Sequence, residues 1–201
     1  GVAILKKKLQ TMNIDTMKID ISDKDEEVTV YNIYKKFNGF DLRRLRIFID
    51  IYYYTCFKNL SEIYLSDGAT GNIVNMTMLP KLTVISLSST KVIGDIMVLT
   101  SLRNLNKIDL SITGVNGDIF HLKSLQNLTE INLFNTRVTG NIEHTKSLQN
   151  LTEINIGRSG ITGDIAHLKS LQNLTKINLS YSGVTGNIAE LNPNLTDINL
   201  S

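Results

Sequence analysis

Cysteine is almost missing from this sequence. Cys56 stands alone, so no intrachain disulfide forms and stability must come from packing. That fits a reducing compartment or a bacterial source. A charge excess of either sign is missing too: 21 basic residues face 19 acidic ones, for a formal net charge of +2. Such a balance gives no pull toward nucleic acid or an anionic membrane. No apolar run approaches the roughly 20 residues that cross a bilayer, and no membrane insertion is expected in this segment. There is no P-loop, no dinucleotide-binding glycine pattern and no glycine elbow around a serine. The three histidines occupy one repeat position without a distinctive carboxylate partner, and Cys56 cannot build a metal site by itself. We therefore expect no catalytic residue, no cofactor and no resident metal. The chain opens on Gly1, so the natural N-terminus is expected to have been trimmed, and with it any secretory signal. The compartment stays open.

What is present is a repeat. Leu82, Leu105, Leu128, Leu151 and Leu174 each open a near-copy of one unit, at a fixed interval of 23 residues. Leu60 precedes Leu82 by 22 residues and Leu195 follows Leu174 by 21, so the variation gathers at the ends. In the unit from Leu128 the apolar residues are Leu128, Ile131, Leu133, Val138, Ile142 and Leu148. Ile131 and Leu133 alternate with Glu130, Asn132 and Phe134, which predicts a short half-buried strand. Thr139-Gly140-Asn141 predicts a turn. Copies of that strand stacked at about 4.8 Å make a parallel sheet along one face of a coil.

Leu151-x-x-Ile154-x-Ile156 and Leu174-x-x-Ile177-x-Leu179 resemble the LxxLxL segment of the leucine-rich-repeat family, and the match runs from Leu60 to Ser201. Ile161-Thr162-Gly163-Asp164-Ile165 and Val184-Thr185-Gly186-Asn187-Ile188 resemble the LxGxIP segment of its plant-type subclass, without the proline and in a 23-residue unit. The resemblance implies an α/β fold. Its form is a right-handed leucine-rich-repeat solenoid with a parallel concave sheet, short irregular convex segments, a second small sheet and an N-terminal helical cap. It also implies binding of a protein partner through the concave face. Cell-surface members usually carry paired-cysteine caps, and their absence argues against that setting. The family's buried asparagine ladder is replaced by Thr90, Thr113, Thr136, Ser159 and Ser182. A hydroxyl there can donate to a buried carbonyl and accept from an amide, so this column is read as scaffold.

Residues 1–58 depart from the repeat and are read as the cap, with the solenoid over 59–201 in about seven units, the last incomplete. Asp23-Lys24-Asp25-Glu26-Glu27 followed by Val28, Tyr31, Tyr34 and Phe37 predicts an amphipathic helix ending at Gly39. Leu45, Ile47, Ile49 and Ile51 alternate with polar or exposed positions and predict an edge strand. Tyr52, Tyr53 and Tyr54 are read as packing the cap. The basic clusters Lys6-Lys7-Lys8 and Arg43-Arg44-Arg46 are diluted by Asp15, Asp20 and Asp41 and accompany no nucleic-acid module.

Comparing one repeat with the next separates scaffold from surface. The two positions after the last strand residue read Ser88-Ser89, Ser111-Ile112, Phe134-Asn135, Gly157-Arg158 and Ser180-Tyr181. They vary most. Phe134, Arg137, Arg158 and Tyr181 are of the types that dominate binding hot spots and are the candidate partner-binding residues. A column of Asp109, Asn132, Asn155, Asn178 and Asn199 is read as structural, its side-chain amides bonding to one another along the coil. His121, His144 and His167, with Glu190 next in the column, are read as solvent-facing copies, with zinc binding the alternative. The Asn-x-Ser/Thr triplets mostly repeat with the unit and carry little independent information.

Two other functions stand beside partner binding: a self-associating structural repeat protein, and a targeting module of a larger enzyme or receptor. The last unit supplies Leu195, Ile198 and Leu200 and stops at Ser201. A coil ending there exposes apolar columns and a strand edge, so we expect further residues in the natural protein or self-association through this end.

Overall fold

The computed structural model describes residues 50–56, 58, 60–65 and 68–201. The helix expected from Asp23 and the edge strand expected from Leu45 to Ile49 lie outside the described residues.

Each unit folds as expected into one strand of a main parallel sheet. Among the described residues these are Glu62–Tyr64 (β1), Val84–Ser86 (β3), Lys107–Asp109 (β5), Glu130–Asn132 (β7), Glu153–Asn155 (β9), Lys176–Asn178 (β11) and Asp197–Asn199 (β13), hydrogen-bonded in that order. The LxGxI-like segments build the second sheet: Thr70–Asn72 (β2), Lys91–Asp95 (β4), Gly114–Asp118 (β6), Arg137–Asn141 (β8), Gly160–Asp164 (β10) and Gly183–Thr185 (β12). A 3-10 turn such as Ile119–Ser124 closes each full coil. The convex segments are thus more regular than the sequence suggests.

Why the coil turns where it does is visible in one column. Asp118, Asn141 and Asp164 each cap the following 3-10 turn, their Oδ1 accepting the N–H of Phe120, Glu143 and Ala166 at 2.8, 2.9 and 2.9 Å. The glycine just before the next coil's cap must pass over that side chain. Gly140 does so at φ +108, and a Cβ there would collide with the Asp118 carboxylate. Asp50 caps in the same way, accepting the Tyr52 N–H at 2.8 Å. Ile51, expected to end the edge strand, therefore opens the 3-10 turn Ile51–Cys56 instead, and Asp50 makes only an isolated bridge to Thr70. Of the three tyrosines read as packing the cap, Tyr54 is buried and Tyr52 is exposed.

The core runs between the two sheets as stacked columns. Leu128, Ile131, Leu133, Val138, Ile142 and Leu148 are all fully buried, each contributing about 1.5–3 kcal/mol against exposure. The hydroxyl column acts as expected. Thr90, Thr113, Thr136, Ser159 and Ser182 donate to the carbonyls of Leu87, Leu110, Leu133, Ile156 and Leu179 at 2.6–2.8 Å. Three of them also accept an amide: Val92 to Thr90, Ile161 to Ser159 and Val184 to Ser182, at 3.3–3.4 Å.

The asparagine column is structural by a different bond. Instead of joining one another, Asn132, Asn155 and Asn178 accept through Oδ1 the N–H two residues on, from Phe134, Gly157 and Ser180 at 3.2, 3.3 and 3.0 Å. An N–H two residues ahead is closer than a neighbour one strand away, so the local turn wins. The repeated sequon asparagines are structural as well: Nδ2 of Asn127, Asn150 and Asn173 donates to the carbonyls of Arg103, Gln126 and Gln149 at 2.9–3.0 Å, stitching coil to coil.

Candidate partner-binding site

The candidate site grows from the turn that links the two sheets. Its second residue adopts positive φ in every full coil, from 51° to 59°, at Ser89, Ile112, Asn135, Arg158 and Tyr181. Only asparagine among these favours that region; for the others it costs about 1–2 kcal/mol per residue. The conformation aims the amide along the coil axis. Ser89, Ile112, Asn135 and Arg158 donate to the carbonyls of Ser111, Phe134, Gly157 and Ser180, each at 2.8 Å. One inter-coil hydrogen bond, about 0.5–1.5 kcal/mol net, offsets much of that cost. The side chain at this position is thrown outward: Tyr181 is 71% exposed and Ile112 is 48%.

Three of the four candidate residues meet there. Phe134 lies half-buried above Gly157, where an added Cβ would come within 3.1 Å of the ring and 2.7 Å of Ser180 Oγ. The missing side chain of Gly157 is what lets the ring lie down on the sheet. The Arg158 guanidinium sits 5.0 Å from the Tyr181 ring centroid and 6.0 Å from that of Phe134. The Tyr181 contact is within ordinary cation–π range and the Phe134 contact is at its limit, together worth about 0.5–1 kcal/mol at an exposed site. No ion pair occupies Arg158 among the described residues. Arg137 is elsewhere: it is the first residue of β8, exposed on the second sheet, with Asn116 as its register partner. Being three residues past Phe134 takes it around the turn.

The histidine column splits among different partners. His121 and His144 stand edge-on to the Phe120 ring at 5.7 and 5.0 Å, and Lys123 Nζ lies 3.6 Å from its centroid. His167 Nε2 is 3.9 Å from Glu143 Oε2, while Glu190 pairs with Lys169 at 3.5 Å. Among the described residues, no three His, Cys, Asp or Glu side chains gather as metal ligands.

Two surface columns escaped the sequence reading. On the outer face of the main sheet, the residue before the buried isoleucine reads Lys107, Glu130, Glu153 and Lys176 in successive coils. Lys107 pairs with Glu130, and Lys176 with Glu153 at 3.5 Å. On the 3-10 turns, the residue after the buried isoleucine reads Tyr52, Val74, Met97 and Phe120, all exposed, and then turns to Glu143. The comparison between repeats that exposed the turn residues would have found both.

No family model matches the sequence, and no curated protein does. Solved structures do. The plant peptide hormone receptor RGFR1 in complex with RGF2 is similar at 25% identity and TM-score 0.61, over 73% of this chain and 25% of that one. The leucine-rich-repeat ectodomain of the receptor kinase SOBIR1 from Arabidopsis thaliana is similar at 26% identity and TM-score 0.57, over 62% of this chain and 70% of that one. A plant ice-binding protein shares the fold at 20% identity and TM-score 0.62, over 76% of this chain and 60% of that one. The chain thus spans only a quarter of the hormone receptor. Its 23-residue units, its LxGxI-built second sheet and these likenesses give the chain the fold of a leucine-rich-repeat solenoid, similar to that of plant receptor ectodomains.

Proposed function

We propose that this chain is a non-catalytic protein-binding scaffold that recognises a macromolecular partner through the concave face of its solenoid, with residues 1–58 capping the coils of 59–201. One observation carries the reading: Arg158 is held over Tyr181 and Phe134 with no carboxylate of its own among the described residues. Aromatic and guanidinium groups fixed in place lose little entropy on binding, which is why such groups form hot spots. Arg137 extends the candidate surface toward the second sheet. The hormone receptor and the ice-binding protein share this fold, so the function rests on the site and not on the architecture.

The test is a pull-down from the source organism with wild type and a Phe134→Ala/Arg137→Ala/Arg158→Ala/Tyr181→Ala variant. A partner held by wild type should lose several kcal/mol of affinity to the variant, while the melting temperature stays nearly constant. Undiminished affinity would overturn the reading.

A second reading is self-association of the solenoid with other copies of the chain. A concentration-dependent sedimentation coefficient would support it, and a strictly monomeric species would sink it.

A further inference from the structure

The 3-10 turns stack into a face of their own, and its chemistry changes partway along the coils. In the first four turns the residue after the buried isoleucine is apolar: Tyr52, Val74, Met97 and Phe120 are 55%, 44%, 49% and 39% exposed. On successive coils they make a stripe about 14 Å long at the interstrand spacing. Single apolar residues are ordinary on a surface, whereas a contiguous row marks one that meets something. From Phe120 onward the turns become basic. Lys123, Lys146 and Lys169 stand exposed on three successive coils, each two residues after a half-buried histidine, His121, His144 or His167. Phe120 joins the two parts: Lys123 Nζ lies 3.6 Å from its ring centroid, and His121 and His144 stand edge-on to it.

Carboxylates hold that charge in check at neutral pH. Glu190 pairs with Lys169 at 3.5 Å, and Glu143 Oε2 lies 3.9 Å from His167 Nε2. Asp118 and Asp164 cap the turns at their starts, and β8 brings Arg137 beside them. The turn Ile96–Ser101, on the other side of Phe120, carries no charge. Three lysines and one arginine thus face four carboxylates. Imidazole is the side chain that ordinarily gains charge between pH 8 and 5. Acid therefore adds three positive charges to a balanced row, while carboxylates, which protonate at lower pH, keep theirs.

We propose that this face docks on an anionic lipid surface, the stripe from Tyr52 to Phe120 entering the interface and the histidine–lysine row lying on the headgroups, more tightly in acid than at neutral pH. An apolar stripe alone suits any apolar partner, and a basic row alone suits any polyanion. Laid end to end on one face, the two match a bilayer, where acyl chains and phosphates adjoin at one boundary. The net charge of the whole chain gives no such pull; the local row in acid does. Docking stays at the surface, since no helix among the described residues is long and apolar enough to cross a membrane. The Arg158 and Tyr181 turns lie at the other end of the second sheet's strands and stay free for a partner.

Sedimentation of the whole chain with vesicles tests this, using phosphatidylcholine alone or mixed with phosphatidylserine, at about pH 7.5 and about pH 5.5. The serine-containing vesicles should bind on the order of tenfold more tightly in acid, with the difference shrinking at high salt. His121→Gln/His144→Gln/His167→Gln should erase that difference. Lys123→Gln/Lys146→Gln/Lys169→Gln and Met97→Ser/Phe120→Ser should each weaken binding, whereas Phe134→Ala/Arg158→Ala/Tyr181→Ala should bind vesicles as wild type does. The chain has no tryptophan, so Phe120→Trp reports insertion directly: its emission should shift to the blue on binding and be quenched by brominated lipid. Circular dichroism melts at both pH values will confirm that each variant is folded. Equal binding to phosphatidylcholine alone, no binding in acid, a pH difference that survives the histidine changes, or an unquenched Phe120→Trp would overturn the proposal and leave the partner site standing. Vesicle binding lost in the Phe134, Arg158 and Tyr181 variant would overturn it too, by moving the lipid contact to the turn between the sheets.

Discussion

Replacing Gly140 with alanine tests whether the cap-and-glycine pairing governs the coil. Two penalties arise together. The backbone at φ +108 lies where an L side chain is disfavoured, at about 1–2 kcal/mol. The new Cβ would also collide with the Asp118 carboxylate, driving it off the Phe120 N–H that it now holds at 2.8 Å. A lost N-cap costs about 0.5–2 kcal/mol, so the sum is roughly 1.5–4 kcal/mol. In urea this moves the unfolding midpoint down by about 1–2 M at an ordinary slope for a chain of this size. A double-mutant cycle separates the two parts. Asp118→Ala already forfeits the cap, so Asp118→Ala/Gly140→Ala should cost about 1 kcal/mol less than the two single changes added. A Gly140→Ala penalty below about 1 kcal/mol, or strict additivity in the cycle, would refute the account of how the turn is held.

Thr136→Val keeps the shape of a buried side chain but strands the Leu133 carbonyl that its hydroxyl serves at 2.8 Å, and it should cost about 1–3 kcal/mol by equilibrium denaturation. Thr136→Ser should retain most of that. Titration with zinc should give indistinguishable heats for wild type and His144→Ala, because His144 faces the Phe120 ring; a heat lost in the variant would restore a metal role. If the C-terminal end associates, Ile198→Lys/Leu200→Lys should abolish any concentration dependence in sedimentation, and an oligomer that persists would place the contact elsewhere.

The scaffold was legible because it repeats. A buried position such as Ile131 recurs with its neighbours at one interval, and recurrence reports the strand, the core and the LxGxI-built sheet without knowledge of any coordinate. The hydroxyl column was legible for the same reason, since Thr90, Thr113 and Thr136 recur at the same 23-residue interval. Features set by backbone torsion were not. Ile112 and Arg158 have no preference for positive φ, so nothing in their identity announces it; the inter-coil hydrogen bond imposes it. Arg137 shows how sharp the limit is. Phe134 and Arg137 are three residues apart, yet one ends on the main sheet's side of the turn and the other begins the second sheet. The glutamate pair was legible in the same way as the core, since the 23-residue interval that aligns Ile131 with Ile154 also sets Glu130 beside Glu153.

Both sheets place their strands across the long axis, so every interstrand hydrogen bond points along it. Mechanically, that makes the molecule a row of links and not a cable. Tension along that axis loads the bonds of one coil interface at a time and peels it, with no strand among the described residues available to resist in shear. Each full coil lost frees 23 residues, about 75 Å of extended chain at 3.3 Å per residue. In an optical trap the chain should lengthen as a low-force staircase whose step is the repeat itself.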